Sequence, residues 1–365
     1  IFGIILAMAK SIWKCSLIIL LTALVWSHAA AQDQSSPIIT AENVRNLGSV
    51  LTLEFSEVEA LGLTPGSGVF VINADASRIV TFASELDESP LSTAVVWDGY
   101  SGVIRNSFYI GQNQYDRMLE GRTLVVGKQG GIATYDLSAG TEHAALATGA
   151  VPMLGVWQSE ADVVCGETAP EPDRPAQVVC SDNREPQPLF DATSDNFARI
   201  GRVPLPLAVT VTQDGITRVW NVEIGDILAE ADAGGLAFFG AVNINGSPID
   251  AESASYLAWR DPDSTTLNLL DFATGENKLV AVLDGDYITH LRLSRAGDVI
   301  FGIDPMSARR AVSVWLSESG EKIDLGQYRM CARSQPDLAV ISYDGTALVI
   351  GCDSGIDVWR IMSDN

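Results

Sequence analysis

A fixed spacing between an anchor residue, usually aromatic, and a later glycine recurs along the chain and constrains the fold more than any other feature. In the run Trp97-Asp98-Gly99-Tyr100-Ser101-Gly102, the last glycine stands five positions after the tryptophan. Glycine adopts positive φ at no steric cost, so a constant offset predicts the same tight turn at the end of each strand. The pairs with this offset are Trp97 and Gly102, Tyr135 and Gly140, Trp220 and Gly225, Leu270 and Gly275, and Trp315 and Gly320.

Two weaker members extend this series into an internal repeat. Phe190 has Asp195 where glycine would stand, and Trp359, near the C-terminal end, is followed by no glycine. Successive anchors lie 30 to 55 residues apart, around the roughly 40–45 residues that four short strands and their turns occupy. The pattern therefore predicts seven similar all-β units.

The stretch from Asp337 to Met362 shows what one unit looks like. Two alternating apolar runs flank a turn at Asp344-Gly345, and a second turn at Asp353-Ser354-Gly355 leads into a strand that ends near Trp359. This is the pattern of a three-stranded antiparallel meander. Such a unit cannot bury both faces alone, so we expect neighbouring units to cover them.

These motifs resemble the WD-repeat β-propeller family. The resemblance rests on Gly215 to Asn221 (GITRVWN), Thr93 to Asp98 (TAVVWD) and the turns at Asp344-Gly345 and Ala296-Gly297. It implies a seven-bladed propeller of four-stranded antiparallel blades, forming one domain over residues 40–362. Asp214 and Asp353 stand where the family places the aspartate of its tight turn, and Trp97, Tyr135, Trp220, Trp315 and Trp359 would be the repeat anchors.

The chain also departs from the family pattern. The Gly-His pair that often opens a unit is absent, a single Trp-Asp dipeptide occurs, and the third unit, residues 151–191, is irregular. An alternating run at residues 50–55 precedes the repeats. In a propeller this run would pair as the outer strand of the last blade, closing the ring and removing an exposed edge.

The N-terminus has the features of an export signal. Lys10 and Lys14 precede an apolar run from Cys15 to Trp26 and the small-residue segment Ala29-Ala30-Ala31. This order predicts a signal peptide over residues 1–31, with residues 1–7 as an upstream extension before Met8 and residues 32–39 as a tether. The apolar run is shorter than the roughly 20 residues that span a bilayer, which makes an uncleaved anchor the weaker alternative. We therefore expect a periplasmic or extracellular protein without a transmembrane anchor after cleavage.

The cysteines agree with export. Four follow Cys15, and their spacing suggests two disulfides, Cys165 with Cys180 and Cys331 with Cys352. In an oxidising compartment each bridge would close a short loop and add roughly 3 kcal/mol of stability. Four cysteines allow three pairings, and four buried free thiols remain the alternative.

Charge and histidine content exclude several functions. The formal net charge is −23, with 46 acidic and 23 basic residues, which opposes nucleic-acid binding and favours a soluble monomer. The sequence contains three histidines and no recognisable nucleophile, nucleotide or zinc motif. We therefore expect no enzymatic activity, no cofactor and no metal site. His143 is expected to be a solvated surface residue and His290 to cover a sheet face.

Several other features have a structural and a functional interpretation. The acidic clusters Asp261 to Asp263, Asp284 to Asp286 and Glu85 to Glu88 could hold calcium, although solvated turns are the more frequent explanation. Trp157 and Trp259 lie outside the repeat register and could be exposed contact residues, although burial is the more frequent outcome.

The expected function is a non-catalytic platform that binds a protein or peptide or supports an assembly. Short loops on a stiff ring present many side chains at little ordering cost. The irregular loop from Gly166 to Gln177 is the first candidate for partner contact. The alternatives are a small-molecule-binding or hydrolytic propeller with its site at the central channel, and a purely structural envelope component.

Overall fold

A computed structural model divides the chain into two compact units, Ile1–Pro37 and Ile38–Asn365. All elements below belong to the second unit. The predicted signal peptide lies outside the described residues. The structure describes residues 36–85, 90–112, 114–160, 163–168, 177–182, 187–188, 196–198, 207–211, 216–221, 226–232, 240–245, 253–260, 266–271, 273–283, 290–303, 311–327 and 336–362.

Antiparallel strands make up nearly all of this structure, as the sequence predicts. The helices within the described ranges are a 3-10 turn, Val44–Asn46, and α1, Phe55–Glu59, which follows strand β1, Leu47–Glu54. Sheet 1 contains β2 (Thr64–Ile72), β3 (Arg78–Ser84), β4 (Thr93–Asp98) and β5 (Ile104–Tyr109). Sheet 2 contains β6 (Gln114–Glu120), β7 (Thr123–Asp136), β8 (Glu142–Glu160), β9 (Val163–Thr168), β10 (Gln177–Cys180) and β11 (Gln187–Pro188).

The second half of the chain supplies three sheets of four strands each and three of the four strands of a further sheet. Sheet 3 contains β12 (Asn196–Ala198), β13 (Leu207–Val211), β14 (Ile216–Asn221) and β15 (Asp226–Asp232). Sheet 4 contains β16 (Gly240–Asn245), β17 (Ser253–Arg260), β18 (Thr266–Asp271) and β19 (Asn277–Val282). Sheet 5 contains β20 (His290–Leu293), β21 (Val299–Ile303), β22 (Ala311–Leu316) and β23 (Lys322–Gln327). Sheet 6 contains β24 (Pro336–Ile341), β25 (Leu348–Cys352), β26 (Gly355–Ile361) and β1.

Strand β7 folds back on itself. The Leu137 N–H donates to the Arg122 carbonyl over 3.0 Å, although 15 residues separate them. The Lys128 ammonium and the Tyr135 hydroxyl are also hydrogen-bonded. A straight strand rises about 3.3 Å per residue and would hold these groups far apart. The reversal lies near Gly130 and Gly131, whose φ values are 93° and 150°.

The anchor-to-glycine spacing corresponds to one recurring turn. In each copy the glycine N–H donates to the carbonyl of the residue four positions earlier. The N–H of that earlier residue donates in turn to the carbonyl of the residue that follows the glycine, as Asp98 does to Val103. The glycines have φ between 64° and 72°, as predicted. The described copies contain Gly102, Gly140, Gly275 and Gly320. The predicted fifth copy, at Gly225, lies outside the described residues.

A second turn recurs between the first two strands of three sheets. It spans Asn73 to Arg78, Ser294 to Val299 and Ser342 to Ala347, with the same pair of backbone hydrogen bonds each time. Its fourth residue has positive φ and is Gly297 or Gly345 in two copies, as expected from the sequence. The other copy has Ala76 with φ 53°. Alanine has no turn signal, which is why the sequence pattern missed this copy.

Strand β1 completes sheet 6. It pairs antiparallel with β26, from Leu47 opposite Ile361 to Glu54 opposite Gly355, with a bulge between Ser49 and Leu51. This is the pairing expected for residues 50–55, except that the strand begins earlier and residue 55 starts α1. A strand from one end of the repeat region is therefore held by a strand from the other end.

Apolar clusters lie between neighbouring sheets. Sheets 6 and 1 share a cluster around Trp97, sheets 1 and 2 share one around Tyr135, sheets 4 and 5 share one around Trp315, and sheets 5 and 6 share one around Trp359. A smaller cluster brings Trp220 of sheet 3 against Cys165, Val178 and Cys180 of sheet 2. In every case the aromatic residue packs against the sheet that comes before its own in the chain. For Trp97 of sheet 1, the sheet it contacts is sheet 6.

Candidate functional site

The predicted repeat anchors are core residues. Trp97 and Tyr135 are fully buried, and Trp315 and Trp359 are nearly so. Trp97 donates its indole N–H to the Thr81 hydroxyl over 2.8 Å. Trp220 is half-buried. Their positions between sheets assign the described anchors to packing.

Asp98, the residue after the anchor Trp97, caps the turn that follows it, a role that the anchor-to-glycine spacing did not reveal. The Asp98 carboxylate accepts the backbone N–H groups of Tyr100 and Ser101 and faces Arg78 and Arg105 at 3.3 and 3.0 Å. Burial raises its pKa, but these hydrogen bonds outweigh burial and hold the pKa below its usual value. The equivalent carboxylates of Asp136 and Asp271 accept turn N–H groups in the same way. These aspartates therefore stabilise turns.

The two other predicted turn aspartates have separate outcomes. Asp353 is exposed in the turn between β25 and β26, where the repeat pattern places it. Asp214 lies outside the described residues.

One predicted disulfide is confirmed. Cys165 on β9 and Cys180 on β10 are directly opposite in the strand register and are bonded, with 4.1 Å between their Cα atoms. Cys352 is also disulfide-bonded and fully buried, whereas its predicted partner Cys331 lies outside the described residues. A disulfide is consistent with an oxidising compartment.

Most of the sequence-based alternatives fall on residues that the structure does not describe. They include the clusters from Asp261 and Asp284, residues 86–88, residues 169–176 of the irregular loop, and the side chains of Trp157, Trp259 and His290. His143 is exposed on β8, as predicted. Within the described ranges no group of three or more His, Cys, Asp or Glu side chains could hold a metal ion.

A partly apolar surface lies where sheets 1 and 6 meet. It consists of Tyr100 and Val103, and we call it the Tyr100 surface. Tyr100 and Val103 are 53% and 50% exposed and belong to the turn between β4 and β5, while Met362 follows β26 and is 51% exposed. Beneath the turn, a Cβ added at Gly102 would approach Leu51 of β1 to 2.9 Å. This contact places the turn against sheet 6.

Arg360 holds the two sheets together under this surface. It is 5% exposed, and its Nη2 donates to the carbonyls of Asp75 and Ala76 in sheet 1 over 3.2 and 3.3 Å. Its guanidinium carbon lies 4.5 Å from the centre of the Tyr100 ring, which is cation–π geometry. The Asp344 N–H donates to the Ala74 carbonyl, so the turns of the two sheets are also bonded directly.

The charges of three carboxylates act on Tyr100. Partial burial is the largest cause that raises the pKa of the tyrosine, and the Arg360 charge opposes it. The charges of Asp75, Asp344 and Asp98 raise that pKa further. One face of the ring is covered by an arginine, while half of the side chain remains open to solvent beside three acids. The surface can therefore accept an apolar group or a cation.

A second polar cluster braces sheets 1 and 2. The Tyr135 hydroxyl is hydrogen-bonded to the Lys128 ammonium, the Glu142 carboxylate and the Ile110 carbonyl. Burial, followed by the hydrogen bond to Glu142, raises the tyrosine pKa strongly. The pKa of Glu142 is lowered because bonds from Tyr135 and Lys128 outweigh its burial. Since the tyrosine is fully buried, this cluster serves packing and not ligand contact.

Comparison with known proteins gives no assignment. No protein-family model matches the chain, and no curated protein matches it. None of the described helices is long and apolar enough to cross a membrane.

Proposed function

We propose that the protein is an exported, seven-bladed propeller of the WD-repeat type that binds a protein or peptide without catalysing a reaction. The observation that carries the binding role is the Tyr100 surface, where large apolar side chains stay exposed at a junction that is otherwise tightly bonded. Exposed apolar groups beside polar ones are typical of protein contact sites.

The strand order supports seven blades. Because β7 reverses direction, its two halves can act as the second and third strands of one four-stranded unit with β6 and the first part of β8. The later part of β8 then joins β9, β10 and β11 in a second unit, since residues 153–160 pair with β9. Together with the other five sheets, this division gives seven units of four strands.

Packing at the glycine turns supports closure of the ring. A Cβ added at Gly140 would meet Phe108 on β5, the outer strand of the preceding sheet, and one added at Gly320 would meet Val280 on β19. The corresponding neighbour of Gly102 is Leu51 on β1. Strand β1 therefore occupies the place of an outer strand for sheet 1, as a propeller closed by its N-terminal strand requires.

The partner suited to the Tyr100 surface is a basic segment with apolar side chains. Asp75 and Asp344 add negative charge that acts on Tyr100, whereas Asp98 is already paired with Arg78 and Arg105. An aromatic face also attracts lysine or arginine. The chain as a whole carries a net charge of −23, which steers cationic partners toward it. A rigid surface of this kind loses little conformational entropy on binding.

Equilibrium binding to a peptide array, with peptides of one length that range from acidic to basic, tests this proposal. We expect basic peptides containing leucine to bind the wild-type protein and to lose binding to a Tyr100→Ser, Val103→Ser variant. The matched control replaces two exposed apolar residues elsewhere, Leu279→Ser with Val282→Ser on β19. Equal loss in both variants, or binding of acidic peptides only, would contradict the proposal.

Capture from the exported fraction of the host then identifies the natural partner. Cross-linking mass spectrometry should place that partner against the turn from Asp98 to Val103. Cross-links confined to other faces would show that the Tyr100 surface is not the binding site.

A further inference from the structure

An arginine on the first strand of sheet 5 lacks the partners that accompany other arginines. Arg292 makes one hydrogen bond, from Nη1 to the carbonyl of the preceding residue, Leu291, over 2.7 Å. It forms no ion pair with any residue that the structure describes. A guanidinium carries five N–H donors. Most of its hydrogen-bonding capacity is therefore available to a ligand.

Other arginines in the described ranges are better satisfied. Arg117, on the first strand of sheet 2, stacks 4.2 Å above the Phe82 ring and donates to the Gln114 side chain. Arg360 donates to two carbonyls and to the Thr346 hydroxyl. The isolation of Arg292 is therefore not a general property of arginine in this fold.

Arg292 lies on β20, an edge strand of sheet 5, with sheets 4 and 6 beside it. Leu291 and Leu293 pack against sheet 4, so the side chain between them projects from the opposite face. Its cross-strand partner Phe301 belongs to the cluster shared with sheet 6. Within the described part of sheet 5, β20 is hydrogen-bonded on one side only, to β21, and β24 of sheet 6 packs beside it.

The position is deep but not sealed. Burial lowers the pKa of Arg292 to about 10, and no neighbouring charge contributes to this change. The side chain nevertheless keeps intermediate exposure, so a small group can reach it. A desolvated cation without a counter-charge is unfavourable, and an anion that arrives with matching geometry offsets this cost.

We infer that Arg292 is the anchor of an oxyanion site at the edge strand β20 of sheet 5, and that its ligand is a carboxylate. The planar guanidinium fork matches a planar carboxylate through two parallel hydrogen bonds. The carboxylate belongs to a small organic acid or to the end of a peptide chain. This inference does not depend on the Tyr100 surface, since the two sites use different residues and ligands of opposite charge.

Isothermal titration at constant ionic strength tests the site with four probes. They are succinate, N-acetyl-trialanine with a free C-terminus, the same peptide with an amidated C-terminus, and inorganic phosphate. We expect saturable binding of succinate or the free-acid peptide and none of the amide. Binding of succinate alone assigns a small-acid ligand, whereas preference for the free-acid peptide assigns a chain terminus.

Variants connect that binding to Arg292. Arg292→Gln should weaken it more than about tenfold, and Arg292→Lys, which keeps the charge but loses the fork, should restore only part of it. Arg117→Gln is the matched control, because that arginine also lies on a first strand but is already partnered, and it should bind like the wild type. Circular dichroism confirms that each variant is folded. No binding by any carboxylate probe, binding of phosphate alone, or equal binding by folded Arg292→Gln would overturn the inference.

Discussion

Two glycines with the same backbone conformation but different surroundings give a direct test of the packing between repeats. Gly275 and Gly320 occupy the same place in the recurring turn, with φ of 71° and 70°. A Cβ added at Gly275 would have no atom within 4 Å, whereas one added at Gly320 would lie 2.1 Å from the Val280 carbonyl oxygen on the neighbouring sheet. Alanine at either site has the same local strain, so the difference between the two variants reports the contact between sheets.

The structure gives the expected magnitudes. Alanine at positive φ costs about 1–2 kcal/mol, and the smaller entropy of the unfolded chain returns about 0.5–1 kcal/mol. Gly275→Ala should therefore lower the free energy of unfolding by about 1 kcal/mol. In Gly320→Ala the backbone oxygen of Val280 cannot rotate away, so sheets 4 and 5 must separate by about 1 Å. Overpacking of this kind costs about 1–3 kcal/mol more.

Urea denaturation followed by tryptophan fluorescence measures this difference. With a slope of about 3 kcal/mol per molar urea, an extra 2 kcal/mol moves the midpoint by about 0.7 M. Similar slopes for the variants would show that the same cooperative unit unfolds. Equal midpoints for Gly275→Ala and Gly320→Ala would refute the conclusion that the turn glycines permit close packing between sheets.

Three further predictions concern the capped turn, the disulfide and the closing strand. Asp98→Asn should lower the free energy of unfolding by about 2 kcal/mol at neutral pH, because the carboxylate accepts hydrogen bonds from two turn amides. The folded pKa of Asp98 lies below 3.8, so the stability difference between wild type and variant should persist above that pH and disappear as the pH falls through the lowered pKa. Denaturation at several pH values measures this difference. Replacing Cys165 and Cys180 by serine should cost about 3 kcal/mol for a loop with a sequence separation of 15, and the loss should equal the effect of reducing this bridge in a background that lacks the other cysteines. Deleting residues through Glu54 should expose the edge of β26 and the apolar residues that Leu53 covers, giving aggregation in size-exclusion chromatography; a monodisperse, fully stable product would contradict the assigned role of β1.

Local features were the most predictable from the sequence. The described turns at Gly102, Gly140, Gly275 and Gly320 form where the spacing placed them, because positive φ is a property of the residue and its immediate neighbours. The bond between Cys165 and Cys180 was also predictable, since two matching apolar runs around a loop place the cysteines opposite each other in a hairpin. The turn at Ala76 was missed because its conformation is imposed by surrounding bonds and not by residue type.

The candidate sites were less predictable. No sequence motif marks Tyr100, although it stands inside the first repeat, because its exposure depends on how the turn of sheet 1 meets the end of β26. Arg292 is one of several arginines in the sequence, and its lack of an ion pair with any described residue becomes visible only once the neighbouring strands are placed. In both cases the signal is a relation between distant segments, which spacing along the chain does not encode.

The sequence by itself determined the antiparallel all-β class, the positions of the repeated turns and the identity of the core anchors. These follow from side-chain size, from alternation along strands and from the conformational freedom of glycine, all of which act over a few residues. Only the tertiary structure decided that β7 folds back on itself, that Arg360 joins sheets 1 and 6, and that Arg292 has no counter-charge among the described residues. Those outcomes depend on contacts between residues up to some 285 positions apart, where packing and desolvation of whole sheets outweigh local preference.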